Sequence, residues 1–389
     1  MTQPVPHRVL IAGGGVAGLE ALMALHSLAG DHVEITLVAP DDTFTVRALS
    51  VQNPFARPAS GRYSLSRICA DHGATFIHDA VHDVHLGTGT VTTGSGDELP
   101  YDSLMIAVGA LPRFAFASAI TFRGLQDAEA MHGLIQDIEG GYAKRIAFVV
   151  PPGVSWPLPA YELALMTAER AESLSLDVAV TIVTPEDEPL GIFGANATAN
   201  LARVLKEAGI AVITGAHVRD VDHGKVLGRS GDVIVDAQRV VALPRLGAPR
   251  VLGLPHDPDG FLAVDEHGQV RGVPGVYAAG DGTSFPIKQG GIAAQQAAAV
   301  ARAIAHRAGA TVVPEPFRPT LRAKLLTGNQ AKFLREAIAG GAGYGGSVIS
   351  NNALWWPPSK VAAPYLAPYL ERQDRGEVGP ATAVELLGR

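Results

Sequence analysis

Short apolar runs alternate along the chain with stretches whose apolar residues recur every three or four positions, and that alternation predicts most of its elements. Val9 to Ala12 is a β-favouring run; Gly13-Gly14-Gly15 ends it, and Leu19, Leu22, Met23 and Leu25 then keep helical spacing. Val33 to Val38 reads as a second strand and Ala74 to Ile77 as a third, the latter preceded by a short helix through Ile68. Tyr101 to Ala110 is an apolar strand ending in glycine, as occurs where bare backbone comes close to a neighbour. From Arg145 to Val150 the pattern starts again: strand, a turn at Pro151 to Pro159, a helix from Ala160 to about Glu172, a strand at Val178 to Thr184, a helix at Ala197 to Ala208 and a strand at Gly209 to Thr214. Strand pattern returns at Val270 to Ala279, ahead of an alanine-rich helix from Gly290 to about Ala308. Strands alternating with helices predict an α/β protein with parallel sheets, and here the unit is built twice.

The other segments read as additions to that plan. Phe44 to Arg67, with Pro54 and Pro58, reads as an irregular loop lying over a ligand or a neighbouring domain, and the runs about Val81 to Val84 and Thr90 to Thr93 as small antiparallel covering strands. Toward the C-terminus the spacing predicts a helix around Leu325 to Ile338 and a glycine-rich break from Gly340 to Gly346. The aromatic block Leu354-Trp355-Trp356-Pro357-Pro358 follows, then a last apolar segment, Lys360 to Leu370, carrying Tyr365 and Tyr369.

Composition works mainly by exclusion. A chain of 389 residues exceeds a single core, so two or three domains are expected, and 47% hydrophobic with 18% charged residues is a globular balance. The net charge of -7, with no block of like charges, argues against nucleic acid as a partner. No apolar stretch approaches the roughly eighteen residues that span a bilayer, and no basic-then-apolar leader opens the chain, so a cytoplasmic location is expected. The single cysteine, Cys69, allows no intramolecular disulfide, no C-x-x-C pair and no cysteine zinc cluster; between Leu65 and His72 it reads as a small buried hydrophobe. His78, His82 and His85 alternate along a strand but, lacking carboxylate or cysteine companions, read as a solvated strand face rather than a metal site.

The candidate chemistry sits at strand ends. Gly13, Gly15 and Gly18 have the spacing G-x-G-x-x-G between a strand and a helix: the first allows the tight turn, the second lets a pyrophosphate approach the backbone, and the third lets helix and strand pack closely. In such a unit the second strand should end in an acid that holds ribose hydroxyls, yet Ala39 stands there, so either the acid has moved to Asp41 or that contact is missing. The second unit's turn, Pro151 to Pro159, offers one glycine, and its four prolines remove N–H donors from the loop that would bind phosphate.

Taken in order, the glycine turn, the strand Tyr101 to Ala110 and Gly275-Val276-Tyr277-Ala278-Ala279-Gly280-Asp281 resemble the FAD-binding pattern of the two-dinucleotide-domain flavoproteins, the pyridine nucleotide-disulfide oxidoreductase superfamily. Lys288-Gln289-Gly290-Gly291 and the closing Trp-Trp-Pro-Pro-Ser-Lys with Tyr-Leu-Ala-Pro-Tyr-Leu are similar to the branch that holds sulfide:quinone oxidoreductases and type II NADH dehydrogenases. The resemblance covers nearly the whole chain. It implies two Rossmann-like dinucleotide-binding domains, the second inserted in the first, plus a C-terminal interface region: residues 1–114 and 248–314 for FAD, 115–247 as the NAD(P)-like domain with a degenerate glycine motif, and 315–389 as the interface domain.

By the same resemblance, Gly13, Gly15, Ala17 and Gly18 would lie along the FAD pyrophosphate, Ala107, Gly109 and Ala110 along its middle, and Asp41 at the adenosine end. Gly280 and Asp281 would meet a ribityl hydroxyl, a role suited to an acceptor-only carboxylate. The helix opening at Gln289 and Gly290 would aim its dipole at the flavin N1 region, where negative charge accumulates on reduction. Lys288 would add positive charge there, and reads equally as a solvated loop lysine. Glu162 resembles an acidic position near the flavin in this branch, and reads equally as an acid in a helix's first turn.

The implied activity is that of an FAD-dependent oxidoreductase passing electrons from a donor, NADH among the candidates, to a quinone-like or protein acceptor. Sulfide oxidation by a cysteine relay is excluded by the lone Cys69. Thr184-Pro185-Glu186 favours NADH over NADPH, because a carboxylate repels a 2′-phosphate. The contrasting reading is a flavin-binding protein without turnover whose second nucleotide site has decayed. Trp355, Trp356, Tyr365, Tyr369 and Lys360 read as a packed homodimer or domain interface, or else as a peripheral contact with the inner face of a membrane.

Overall fold

The computed structural model describes residues 5–57, 61–339, 342–343 and 347–380. Two five-stranded sheets dominate. In the first, the strand His7–Ala12 lies between Val33–Ala39 and Ser103–Ile106, with Thr75–His78 and Val276–Ala278 at the edges, every pairing parallel. In the second, Arg145–Val149 lies between Ala179–Val183 and Arg239–Ala242, with Ala211–Ile213 and Ile120–Thr121 at the edges, again all parallel. Four strands of each sheet follow the same order, but the edge strand beside them comes last in the first sheet, at Val276–Ala278, and first in the second, at Ile120–Thr121; the chain leaves the first sheet after Ile106, builds the second, and returns at Val276 to finish the first. Each central strand has its next partner in sequence on one side and a later one on the other, which opens a crevice at the carboxyl ends where ligands bind in such sheets.

Small residues bring the covering helices close to the first sheet. The opening helix Val16–Ala29 packs against the alanine-rich helix Gly290–Arg307 through Ala21, Leu25, Ala297, Ala301 and Ile304, all below 1% exposed. Gly18 is needed at this spot, since a Cβ there would stand 1.9 Å from the Gly13 carbonyl oxygen. Cys69 lies in the same core on the short helix Leu65–Asp71. His78 and His85 spend ring nitrogens on the Pro40 carbonyl and the Thr92 hydroxyl, and among the described residues no group of metal-ligating side chains gathers.

Several boundaries differ from the expectation. The loop after Phe44 is partly regular, with the 3-10 helix Arg47–Phe55 packed against the second unit through Val51. The segment Val270 to Ala279 is strand only at Val276–Ala278. The helix expected around Leu325 to Ile338 is instead a hairpin of Thr320–Leu325 and Lys332–Ala339, paired from Thr320↔Ala337 to Leu325↔Lys332. Helix-forming residues there are overruled by burial on both faces: Leu321, Leu325 and Leu334 enter the core of the second unit while Phe333 meets Trp355, and Gly328 at φ 92° makes the turn. Of the glycine-rich break, positions 340, 341 and 344–346 lie outside the described residues. The C-terminal part straddles both units, because its last helix, Leu366–Asp374, joins the core of the first.

Candidate functional site

A cavity of about 960 Å³ opens between the two units, at the carboxyl ends of both central strands. That is the upper end of the range for small-molecule sites. Its wall holds Gly13, Gly15, Ala17, Asp41, Ala107, Gly109, Ala110, Gly280, Asp281, Lys288, Gln289, Gly290 and Glu162; of the residues that the sequence resemblance places along FAD, Gly18 alone lies behind the wall.

The glycine turn is shaped from both sides. Gly13 adopts φ 118°, and a Cβ on it would come within 2.3 Å of the Ala107 carbonyl oxygen, so the two strand ends can approach only because it is glycine. Gly15 caps the opening helix with φ −84° and faces open space, with nothing within 4 Å of where its Cβ would be. That helix has no side-chain cap and no acid in its first turn, so its orphan N–H groups face the cavity ready for an anion. Arg47, unremarked in the sequence, adds a cation to the same wall. The strand Val33–Ala39 ends on buried Ala39, and Asp41 reaches the cavity wall two residues later, exposed.

At the other end of the glycine-lined stretch, burial raises the carboxyl pKa of Asp281, and the charges of Lys288 and Arg47 oppose that rise. Lys288 is engaged locally. Its ammonium donates to the Thr283 carbonyl and lies 3.9 Å above the Phe261 ring centre, and burial pulls it down to about 8 against the attraction of Asp281 and Asp257. Gln289 caps the following helix by accepting from Ile292 N–H at 2.8 Å, leaving the N–H groups of Gly290 and Gly291 free of that cap. An anion cradle at one end, an acceptor carboxylate at the other and a second helix N-terminus beyond it fit the pyrophosphate, ribityl and flavin parts of FAD.

Beyond this stretch the second unit faces the cavity with Gly153, Trp156, Leu158 and Pro159. Its helix Leu158–Ser173 begins at Pro157 and carries Pro159 in its first turn, while the N–H of Ala160 is taken by the Pro157 carbonyl at 3.0 Å. The uncapped N–H groups that open the first unit's helix have no counterpart here. Trp156 leans edge-on against Phe193, with ring centres 5.9 Å apart. Glu186, at the end of the next strand, accepts from Tyr161 Oη at 2.7 Å and Thr184 Oγ1 at 2.9 Å.

Glu162 is 1% exposed and ion-paired with Lys360, itself 9% exposed and 198 residues away in sequence. The carboxylate also accepts from Leu326 N–H at 2.8 Å, and Lys360 donates to the Lys324 carbonyl at 2.7 Å. Burial raises the pKa of Glu162 and lowers that of Lys360, each partly restrained by the other's charge. Glu162, Lys324 and Lys360 all reach the cavity wall. Sequence spacing had no means of finding Lys360 as the partner of Glu162, because only the tertiary fold joins them. The aromatic block turns mostly inward: Trp355 packs on Phe333 at 5.1 Å between ring centres, Tyr369 bonds Asp71 at 2.9 Å, and only Trp356, 62% exposed, points outward.

The paired-unit α/β fold and the family match together define a flavin-dependent oxidoreductase with FAD as its cofactor. The chain belongs to the pyridine nucleotide-disulphide oxidoreductase family, whose model matches residues 7–303. It is 28% identical to the ferredoxin reductase component of chlorobenzene dioxygenase from Cupriavidus sp. (strain PS12) over 331 residues, 77% of this chain and 75% of that protein. It is also 28% identical to sulfide-quinone reductase from Aquifex aeolicus (strain VF5), over 56% of this chain and 53% of that protein. The solved sulfide:quinone oxidoreductase of Aquifex aeolicus shares the fold, with a TM-score of 0.75 at 21% identity over 89% of this chain and 87% of that one.

Proposed function

We propose that the protein passes electron pairs through FAD to a small quinone-like acceptor, and that NADH rather than NADPH is the nucleotide it takes where a nucleotide is the donor. The observation that carries this reading is the part of the cavity wall to which Trp156, Leu158, Ala323 and Val361 contribute apolar groups and Lys324 and Lys360 contribute ammonium groups. A planar conjugated dicarbonyl needs apolar faces, and its two oxygens need protons as it gains two electrons. FAD, when bound, supplies the two-electron exchange. Gly13, Gly15 and the opening helix hold its pyrophosphate, Arg47 balances that charge, and Asp281 takes a ribityl hydroxyl. Lys360 holds its protons between Glu162 and the Lys324 carbonyl, and Lys324 donates to the Pro358 carbonyl at 2.9 Å. Burial lowers the pKa of both lysines, so each releases a proton more readily than a surface lysine.

Cys69 stands outside the cavity wall, and burial pushes its thiol up to about 12, which supports an electron route without cysteine. The Glu186 carboxylate at the second strand end supports the NADH preference. A protein acceptor is the second reading. It is supported by Arg113 and Arg245, directly opposed on a ribbon at the cavity rim, beside exposed Leu111, Phe114 and Leu246. A peripheral contact with a bilayer or a second copy would begin at Trp356.

Anaerobic mixing tests these choices: NADH should bleach the flavin faster than NADPH, and a water-soluble quinone should restore its colour. Equal rates with the two nucleotides would remove the donor preference. Recolouring by an acidic one-electron carrier protein but not by quinone would replace the acceptor. The cradle has its own test in Gly15→Ala, whose Cβ enters open space from an unstrained φ. The FAD-free protein should unfold within about 0.5 kcal/mol of the parent, while the Kd for FAD should rise about tenfold; unaltered FAD affinity would remove Gly15 from the pyrophosphate site.

A further inference from the structure

We infer that Gln296 is a positioning residue for the cofactor: its buried carboxamide holds the Gly280-Asp281-Gly282 turn from behind and thereby sets where the Asp281 carboxylate meets bound FAD. The inference rests on the reading of Asp281 as a cofactor ligand.

Among the described residues no donor bonds the Asp281 carboxyl, so backbone alone fixes its place. That backbone is held at Gly280. Gln296, 5% exposed, accepts the Gly280 N–H on Oε1 at 2.8 Å and reaches Thr283 Oγ1 with Nε2 at 3.4 Å. Thr283, fully buried, donates its hydroxyl to the Gly280 carbonyl at 3.0 Å, and its own N–H goes to the same oxygen at 3.0 Å. Both polar groups of the Gly280 peptide therefore end on one buried pair. Gly280 itself is at φ 84°, and a Cβ on it would press to 3.2 Å from that of Ala17, so the turn is clasped between the two helices that point at the cavity.

Packing alone would be served by another alanine, as at Ala293, Ala294 and Ala297 of the same helix. A buried carboxamide costs desolvation unless its bonds are made, and here they are made to the turn. The other two glutamines of this region do different work. Gln289 caps the helix and ties it to the Arg322 carbonyl, and Gln295 bonds both backbone groups of Thr320.

The test is a double-mutant cycle read by titrating FAD into the FAD-free protein, with Gln296→Met, Asp281→Asn and the pair. Gln296→Met should raise the Kd for FAD about tenfold, and Asp281→Asn at least as much. In the Asp281→Asn background the Gln296→Met effect should shrink to within about twofold, because a residue acting through Asp281 has nothing left to position. A residue that only stabilises the fold would cost the same factor in both backgrounds, and that result overturns the inference. So does an unaltered Kd for Gln296→Met while Asp281→Asn binds weakly, an outcome that leaves the Asp281 reading standing. Full FAD affinity in Asp281→Asn overturns both together. If Gln296→Met does not fold, Thr283→Val opens the same loop from its other end, with the same two patterns for and against.

Discussion

Lys360→Met is expected to lower the unfolding free energy by about 3–5 kcal/mol, the usual consequence of leaving a buried charge without its partner. Glu162 would remain at 1% exposure with only the Leu326 N–H bonded to it. Burial raises its pKa even beside Lys360, so without the ammonium that pKa should rise further. Glu162→Gln strands Lys360 in the same way. The double variant Glu162→Gln/Lys360→Met should be less destabilised than the sum of the singles, and urea unfolding of the four chains measures this. Singles within about 1 kcal/mol of the parent would be incompatible with the pair as described.

The second large effect is a pH dependence located at Glu20. This residue, fully buried on the opening helix, accepts Tyr365 N–H at 3.1 Å and Leu366 N–H at 2.8 Å and so caps the last helix. Burial lifts its pKa from 4.5 to about 7, against the pull of those two N–H groups. A pKa raised on folding means that the folded state binds the proton more tightly than the unfolded chain. The stability it contributes is complete below about pH 4.5 and is lost as pH rises through about 7. Relative to Glu20→Gln, which keeps an acceptor but does not titrate, the parent should lose about 3 kcal/mol between pH 4.5 and 8. Parallel pH profiles for the two proteins would show that Glu20 ionises as freely in the folded state as in the unfolded one.

Much of the first unit was legible because its signals are local. A strand, three glycines at fixed spacing and a helix occupy one continuous stretch, and the cavity wall receives Gly13, Gly15 and Ala17 from it. Asp281 was found because the Gly280-Asp281 pair also has a sequence signature. The hairpin of Thr320–Leu325 and Lys332–Ala339 was not legible as strands. Ala, Lys, Leu, Arg and Glu favour helix, and what makes them strand is contact with the second unit and with Trp355, which no local window contains. The pairing of Lys360 with Glu162 was missed for the same reason, as were Gln296 and Glu20. A buried ionic or amide group is interpretable only once its partner is known, and these partners lie 198, 16 and 346 residues away.

The run from Lys360 to Leu366 is held at one end by Glu162 of the second unit and at the other by Glu20 of the first. Between those anchors, Val361 forms part of the cavity wall. During synthesis both carboxylates precede the residues that satisfy them, by 198 and 346 positions. Until the ribosome has released this late segment, the two units lack their common staple and the cavity lacks that side.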